Sequence, residues 1–114
     1  SAASDVYKRQ IVHACGPYAI ANVRADAYLV YTNTLIGSSM RGMGVPQVCF
    51  ALESQLDALA YRLGMEPEEL RRRNLFSDTG YLPNGQVIPS SAARATYERA
   101  WELFRDESIW GKQR

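Results

Sequence analysis

The residues best placed to do chemistry lie in one run, Ser38-Ser39-Met40-Arg41-Gly42-Met43-Gly44-Val45-Pro46-Gln47. Gly42 and Gly44 flank one large side chain and let the backbone take φ > 0 or come close to a ligand. Arg41 adds a permanent charge with five N–H donors. Pro46 suits the first turn of a helix, where its missing N–H is no loss. A helix that begins there turns unsatisfied N–H groups and a positive dipole end back toward the glycines. Such a loop can hold an anionic group. Taken alone, the same residues also fit a structural strand-to-helix turn with a solvent-facing arginine.

Other chemistries lack their parts. His13 is the only histidine, which rules out a His-rich metal site or a Ser-His-Asp triad built within the chain. Ser38 and Ser39 have no local base to activate them, and Glu53 has no paired carboxylate placed for acid–base work. Cys15 and Cys49 make neither a disulfide framework nor a zinc site. They are also too few for an iron–sulfur cluster, which takes about four thiolates. They read as two buried thiols of a cytosolic protein. Thirteen basic against twelve acidic residues leave a formal charge of +1, without the surplus of cations that nucleic-acid binding relies on. No apolar run reaches the roughly 18–20 residues of a membrane helix. At 114 residues, 46% of them hydrophobic, the chain is at most one modest domain or a piece of a larger one.

The loop must be positioned by the elements on either side. Residues 18–33 favour extended chain: Val23, Tyr28, Val30, Tyr31 and Thr32 are β-formers. Over 22–28, Asn22, Arg24 and Asp26 alternate with Val23, Ala25 and Ala27, which suggests a strand with one buried face. After the loop, Val48, Leu52, Leu56, Leu59 and Leu63 recur at helical spacing and predict a helix over 46–63, ended by Gly64. A short helix is expected from Pro67, with Glu68 and Glu69 at its positive end and Arg71, Arg72 and Arg73 at its negative end. The triple arginine reads as a solvated, dipole-matched terminus. A small hairpin around Asn84-Gly85 follows, and then a third helix capped by Ser90 or Ser91, with Ala93, Tyr97, Ala100, Trp101 and Phe104 as its apolar stripe. Residues 1–10 look foreign to the rest: Asp5-Val6-Tyr7-Lys8-Arg9-Gln10 reads like a translated sequencing-library adaptor and is excluded from these expectations.

Three blocks in order carry a resemblance: Gly16-Pro17-Tyr18-Ala19-Ile20-Ala21-Asn22-Val23-Arg24, then Val30-Tyr31-Thr32-Asn33, then Met40-Arg41-Gly42-Met43-Gly44-Val45-Pro46-Gln47. It continues through Phe50-Ala51-Leu52-Glu53, Asp57-Ala58-Leu59-Ala60, Leu63-Gly64 and Pro67 to Leu75. Together these resemble the molybdenum-cofactor-binding subunit of the xanthine dehydrogenase/aldehyde oxidase family, over most of the chain from residue 13 to residue 104. Each block is unspecific alone; their joint spacing is not.

The resemblance implies an α+β piece of a larger molybdopterin-binding domain. Its parts would be short strand segments, then the glycine-rich loop, then three helices; with the adaptor-like residues 1–10 set aside as a non-native segment, residues 11–114 are the partial domain. It implies a cytoplasmic oxidoreductase that holds molybdenum through a pterin dithiolene, commonly as a cytosine dinucleotide in bacteria, and not through protein ligands. Such enzymes hydroxylate a heteroaromatic or aldehyde carbon of a small molecule with oxygen derived from water. Electrons then pass to 2Fe-2S clusters and FAD on other domains or subunits. Arg41 and Gly42 match the family's cofactor-side positions. Met43 stands where a phenylalanine typically stacks on an aromatic substrate; a thioether contacts a ring but has no stacking face. No catalytic residue is carried over within the chain, because the family's glutamate base lies elsewhere, and the fragment alone is expected to be inactive. Two other readings stay open. One is a non-catalytic module of amphipathic helices; the other, within the family, is reductive dehydroxylation of an aromatic thioester.

Overall fold

The computed structural model describes residues 2–34 and 41–106. Residues 35–40, which include Ser38, Ser39 and Met40 of the glycine-rich run, lie outside the described residues, as does the chain after 106. The element order is α1 (Ala2–Val12), α2 (Val45–Leu63), α3 (Pro67–Asn74), β1 (Gly80–Tyr81), β2 (Val87–Ile88) and α4 (Ala93–Arg105). The expected α+β character, with three helices after the loop and a hairpin before the last of them, is present. The stretch set aside as non-native contributes most of α1.

Helix α2 starts and stops for local reasons. Pro46 occupies its first turn and Gly64 ends it at φ 63°. The Met65 N–H donates to the Ala60 carbonyl at 3.0 Å and the Gly64 N–H to the Tyr61 carbonyl at 3.2 Å, the paired bonds of a Schellman ending that satisfy otherwise orphaned carbonyls. Two residues later Pro67 opens α3 with Glu68 and Glu69 in its first turn. The short connection forces the two helices together, and Ala60 of α2 and Leu70 of α3 are buried. With Cys15, Tyr18, Leu75 and Phe76 they make up the buried apolar set. Of the two thiols, Cys15 is buried as expected and Cys49 only half-buried.

The extended segment departs from expectation. Tyr18 forms one antiparallel bridge with Leu75, held by the Phe76 N–H to the Pro17 carbonyl at 3.0 Å and the Ala19 N–H to the Asn74 carbonyl at 2.7 Å. Residues 21–34 then carry no strand pairing among the described residues, and the face expected to be buried is open, with Val23 41% and Leu29 73% exposed. A strand exists only where a neighbour takes up its N–H and C=O groups, and no backbone hydrogen bond joins 21–34 to another described residue. The only ladder among the described residues is the hairpin, with Gly80 opposite Ile88 and Tyr81 opposite Val87; Gly85 turns it at φ 83°.

Helix α4 begins one residue later than its serines suggest. Ala92 is the cap, and Ser91 contributes by accepting the Ala93 N–H at 3.3 Å. Its stripe forms as an edge-to-face series, Tyr97–Trp101 at 6.2 Å and Trp101–Phe104 at 5.3 Å between centroids, yet none of its residues is buried. The helix is moored by polar contacts: Arg94 Nη2 donates to the Leu75 carbonyl at 3.1 Å and Tyr97 Oη to the Glu68 carbonyl at 3.1 Å. No helix of the described residues is long and apolar enough to cross a membrane.

Candidate functional site

The loop that leads into α2 has an unusual backbone. Gly42, Met43 and Gly44 all take positive φ, at 91°, 45° and 91°. Glycine adopts this conformation without a steric cost, but a methionine does so only where the surroundings impose it. The Val45 N–H closes the turn on the Gly42 carbonyl at 3.0 Å, and the Val48 N–H reaches the Gly44 carbonyl at 3.3 Å. Neither glycine has room for a side chain. A Cβ on Gly42 would lie 2.8 Å from the Pro46 ring, and one on Gly44 would lie 2.8 Å from Val6 and Gln10 of α1. Their positive φ, at 91° in both, is what makes the glycines needed for the turn itself, whatever binds beside it.

The expected cofactor-side residues are both exposed, and the expected substrate-side Met43 is half-buried. Arg41 forms no hydrogen bond or ion pair with another described residue. The first turn of α2 contains no acidic residue, so the positive end of that helix is not neutralised from within. A guanidinium without a partner among the described residues, beside a helix whose first turn holds no acidic residue, suits an anionic, phosphate- or oxo-bearing group in sign and in donors. The molybdenum–pterin group expected from the sequence fits that donor set. No cluster of His, Cys, Asp and Glu able to hold a metal ion directly occurs among the described residues.

A second constellation was not anticipated. Arg71 of α3 donates through Nε to Glu53 Oε2 at 2.6 Å and reaches the Glu53 carbonyl through Nη2 at 3.2 Å. The same Nη2 lies 2.7 Å from Asp57 Oδ1. Tyr18 Oη completes the set by donating to Glu53 Oε1 at 2.8 Å. Burial pushes the Tyr18 phenol well above the tyrosine range, and the Glu53 carboxylate adds to that. For Arg71, burial works against the charge, but bonds to Glu53 and Asp57 outweigh it and hold the guanidinium above its ordinary value.

The reading of the triple arginine as a solvated helix end is thus corrected for Arg71 and Arg72, whereas Arg73 keeps a side chain 65% exposed. Arg71 is 16% exposed at its side chain and held between two carboxylates. Arg72 lies 2.9 Å from Glu98 of α4, and Arg73 pairs with Glu69 at 2.7 Å. The Arg73 hydrogen bond also lowers the Glu69 carboxyl from its usual value. What turns Arg71 inward is the packing of α3 against α2, while Arg72 reaches across to Glu98 of α4. The available sequence signal was Glu53 and Asp57, one turn apart on α2 and facing one way. A cleft of about 610 Å³ opens over this network, lined by Tyr18, Glu53, Arg71, Leu75 and Tyr97 among others. Its lining does not include Arg41, Gly42 or Met43, so loop and cleft are separate features of this chain.

Comparison with known proteins places the chain in a family, and the matched residues include the loop. Residues 1–75 match the family described as the molybdopterin cofactor-binding domain. The chain is 43% identical over 98 residues to the nicotinate dehydrogenase large molybdopterin subunit of Eubacterium barkeri, covering 85% of this chain and 23% of that protein. It is 45% identical over 98 residues to the aldehyde oxidoreductase of Megalodesulfovibrio gigas, covering 80% and 11%. It is 39% identical over 85 residues to the xanthine dehydrogenase molybdenum-binding subunit of Escherichia coli, covering 74% and 11%. The chain therefore spans less than a quarter of the length of each of these relatives.

Proposed function

This chain belongs to the molybdopterin cofactor-binding domain family, and from that premise we propose that it is one wall of the molybdenum site of an oxidoreductase acting on a heteroaromatic or aldehyde carbon. The observation that supports the reading is the pairing of Arg41, exposed and without a partner among the described residues, with an α2 terminus that lacks any acidic residue in its first turn. When bound, a molybdenum–pterin cofactor supplies two-electron redox chemistry, with the new carbon–oxygen bond drawing its oxygen from water. The chain's own contribution is positional. Arg41 offers fixed positive charge and N–H donors to an anionic group. Gly42 keeps the backbone bare there. Met43, half-buried and set at φ 45°, directs a flexible thioether toward the substrate.

The relatives are named for nicotinate, aldehydes and xanthine, and a planar heteroaromatic ring or an aldehyde is the substrate class proposed for the intact protein. Iron–sulfur and flavin carriers on other domains or subunits, and a cytoplasmic site of action, belong to the same proposal. The proposal also keeps residues 1–10 as a non-native segment, although they lie within the family match and within α1. Resequencing the locus across codon 11 tests that point, and an uninterrupted natural reading frame through residues 1–10 would refute it.

Arg41→Ala in the full-length protein tests the site. Molybdenum content per polypeptide or turnover should fall about tenfold or more, the worth of a lost hydrogen bond to a charged group. Metal content and rate both unchanged would remove Arg41 from the cofactor.

A further inference from the structure

We propose that residues 23–32 are an extended segment that becomes a β-strand by pairing, through its main chain, with a strand from the remainder of the full-length polypeptide. The segment is extended and already has strand-like faces. No turn or bend interrupts 23–32, and Arg24 Nε meets Asp26 Oδ2 at 2.9 Å. These residues are two apart and share a face when the backbone is extended. One face then carries Val23, Ala25, Ala27, Leu29 and Tyr31 without a polar interruption. Val23 is 41%, Leu29 73% and Tyr31 104% exposed, so this apolar face is uncovered. The main chain is uncovered too: no backbone hydrogen bond joins residues 21–32 to another described residue.

The composition says what kind of surface this is. β-branched and aromatic residues fit a pleated, half-buried sheet, and neither proline nor glycine interrupts 23–32. Its only charges, Arg24 and Asp26, neutralise each other. Nothing in the segment therefore guards it as a free edge, where natural strands place lysines, prolines or bulges against uncontrolled pairing. The antiparallel bridge at Tyr18–Leu75 fixes one end, so the strand leaves a defined anchor.

The occupant is assigned to the same polypeptide. The chain spans 23% of one relative and 11% of two others, which places most of the parent molecule's strands outside these residues. A partner strand tethered in the same chain acts at a high effective concentration, unlike a second molecule. The inference rests on the family reading above, in that it takes the intact protein to be a longer member of that family.

Hydrogen exchange of the full-length protein, followed by mass spectrometry, is the test. Amides within 23–32 should exchange at least about 100-fold more slowly than an unstructured chain, as paired strands do. With p-benzoylphenylalanine in place of Tyr31, irradiation should yield a crosslink within one polypeptide. Exchange at unstructured rates overturns the proposal, and so does a crosslink to a second copy or to a separate subunit. The exchange measurement uses the unaltered protein, so it decides even if the Tyr31 variant fails to fold. Molybdenum content measured on the same sample separates the two proposals: a protected strand in a protein that binds no molybdenum would sink the enzymatic reading and leave the strand.

Discussion

Arg71 and Glu53 meet at 2.6 Å across the junction of α2 and α3, with the arginine side chain 16% exposed. Asp57 reaches the same guanidinium, and Tyr18 reaches the same carboxylate. Helix α2 leads directly out of the Arg41–Gly44 turn, so this network fixes the helix on which the loop is mounted. The pair is of a kind that is costly to break from one side, because the remaining charge is left without its partner. Partial exposure of Glu53 and Asp57, at 38% and 59%, moderates that cost.

Arg71→Ala should therefore destabilise the α2–α3 junction by about 1–3 kcal/mol, the penalty for stranding a partly buried polar partner. The measurement is native-state exchange of α3 amides in the full-length protein, which should speed up about tenfold or more. Unchanged exchange would mean that solvent already satisfies both carboxylates. Glu53→Gln, which keeps the acceptor but loses the charge, should show a smaller effect than Arg71→Ala.

Tyr18→Phe removes the bond to Glu53 and should cost about 0.5–1.5 kcal/mol at neutral pH. The folded phenol titrates above its unfolded value, because burial and then Glu53 disfavour the phenolate. The stability this contributes is complete below the unfolded value of about 10 and is lost as pH rises past it toward the folded value. Wild-type stability should thus decline on the alkaline side of pH 10, and part of that decline should vanish in Tyr18→Phe. Identical alkaline limbs in pH-dependent denaturation would show that Tyr18 is not the group involved.

Met43→Phe exchanges a flexible thioether for a flat ring at the proposed substrate side. In the intact enzyme it should change the ratio of kcat/KM between an aromatic heterocycle and an aliphatic aldehyde by about tenfold or more, within the range that pocket contacts supply. Molybdenum content should stay constant, since the change leaves Arg41 and both glycines in place. An unaltered ratio would move Met43 out of the pocket.

Two glycines should respond differently to alanine. At Gly64 no atom lies within 4 Å of an added Cβ, and only φ 63° resists, so Gly64→Ala should cost about 1 kcal/mol. At Gly80 the Cβ would fall 2.5 Å from the buried Phe76 ring, and overpacking should raise the cost to about 1–3 kcal/mol. Thermal denaturation of the two variants in one background ranks them, and equal shifts would mean that Phe76 yields without strain.

Local signals in the sequence were sufficient for α2 and α3 and their ends, but not for α1 or for the cap of α4. Pro46, Gly64 and Pro67 mark boundaries because each restricts or frees its own backbone, and the leucine spacing of α2 needs no distant partner to be read. The Arg41-Gly42-Met43-Gly44 turn was legible for the same reason, since glycine chemistry and a helix terminus are properties of adjacent residues. The family followed from several such blocks in order.

Only the tertiary structure decided where the charges go and which extended residues pair. The three arginines of α3 looked alike as a solvated end, yet Arg71 turns into α2 because Glu53 and Asp57 arrive there when Ala60 and Leu70 pack. Residues 18–33 read as a strand, but strand formation is a property of two segments, and among the described residues only Tyr18 finds a partner, Leu75. Propensity belongs to a residue and its neighbours in sequence. An ion pair or a ladder exists only when folding brings separated residues within hydrogen-bond reach.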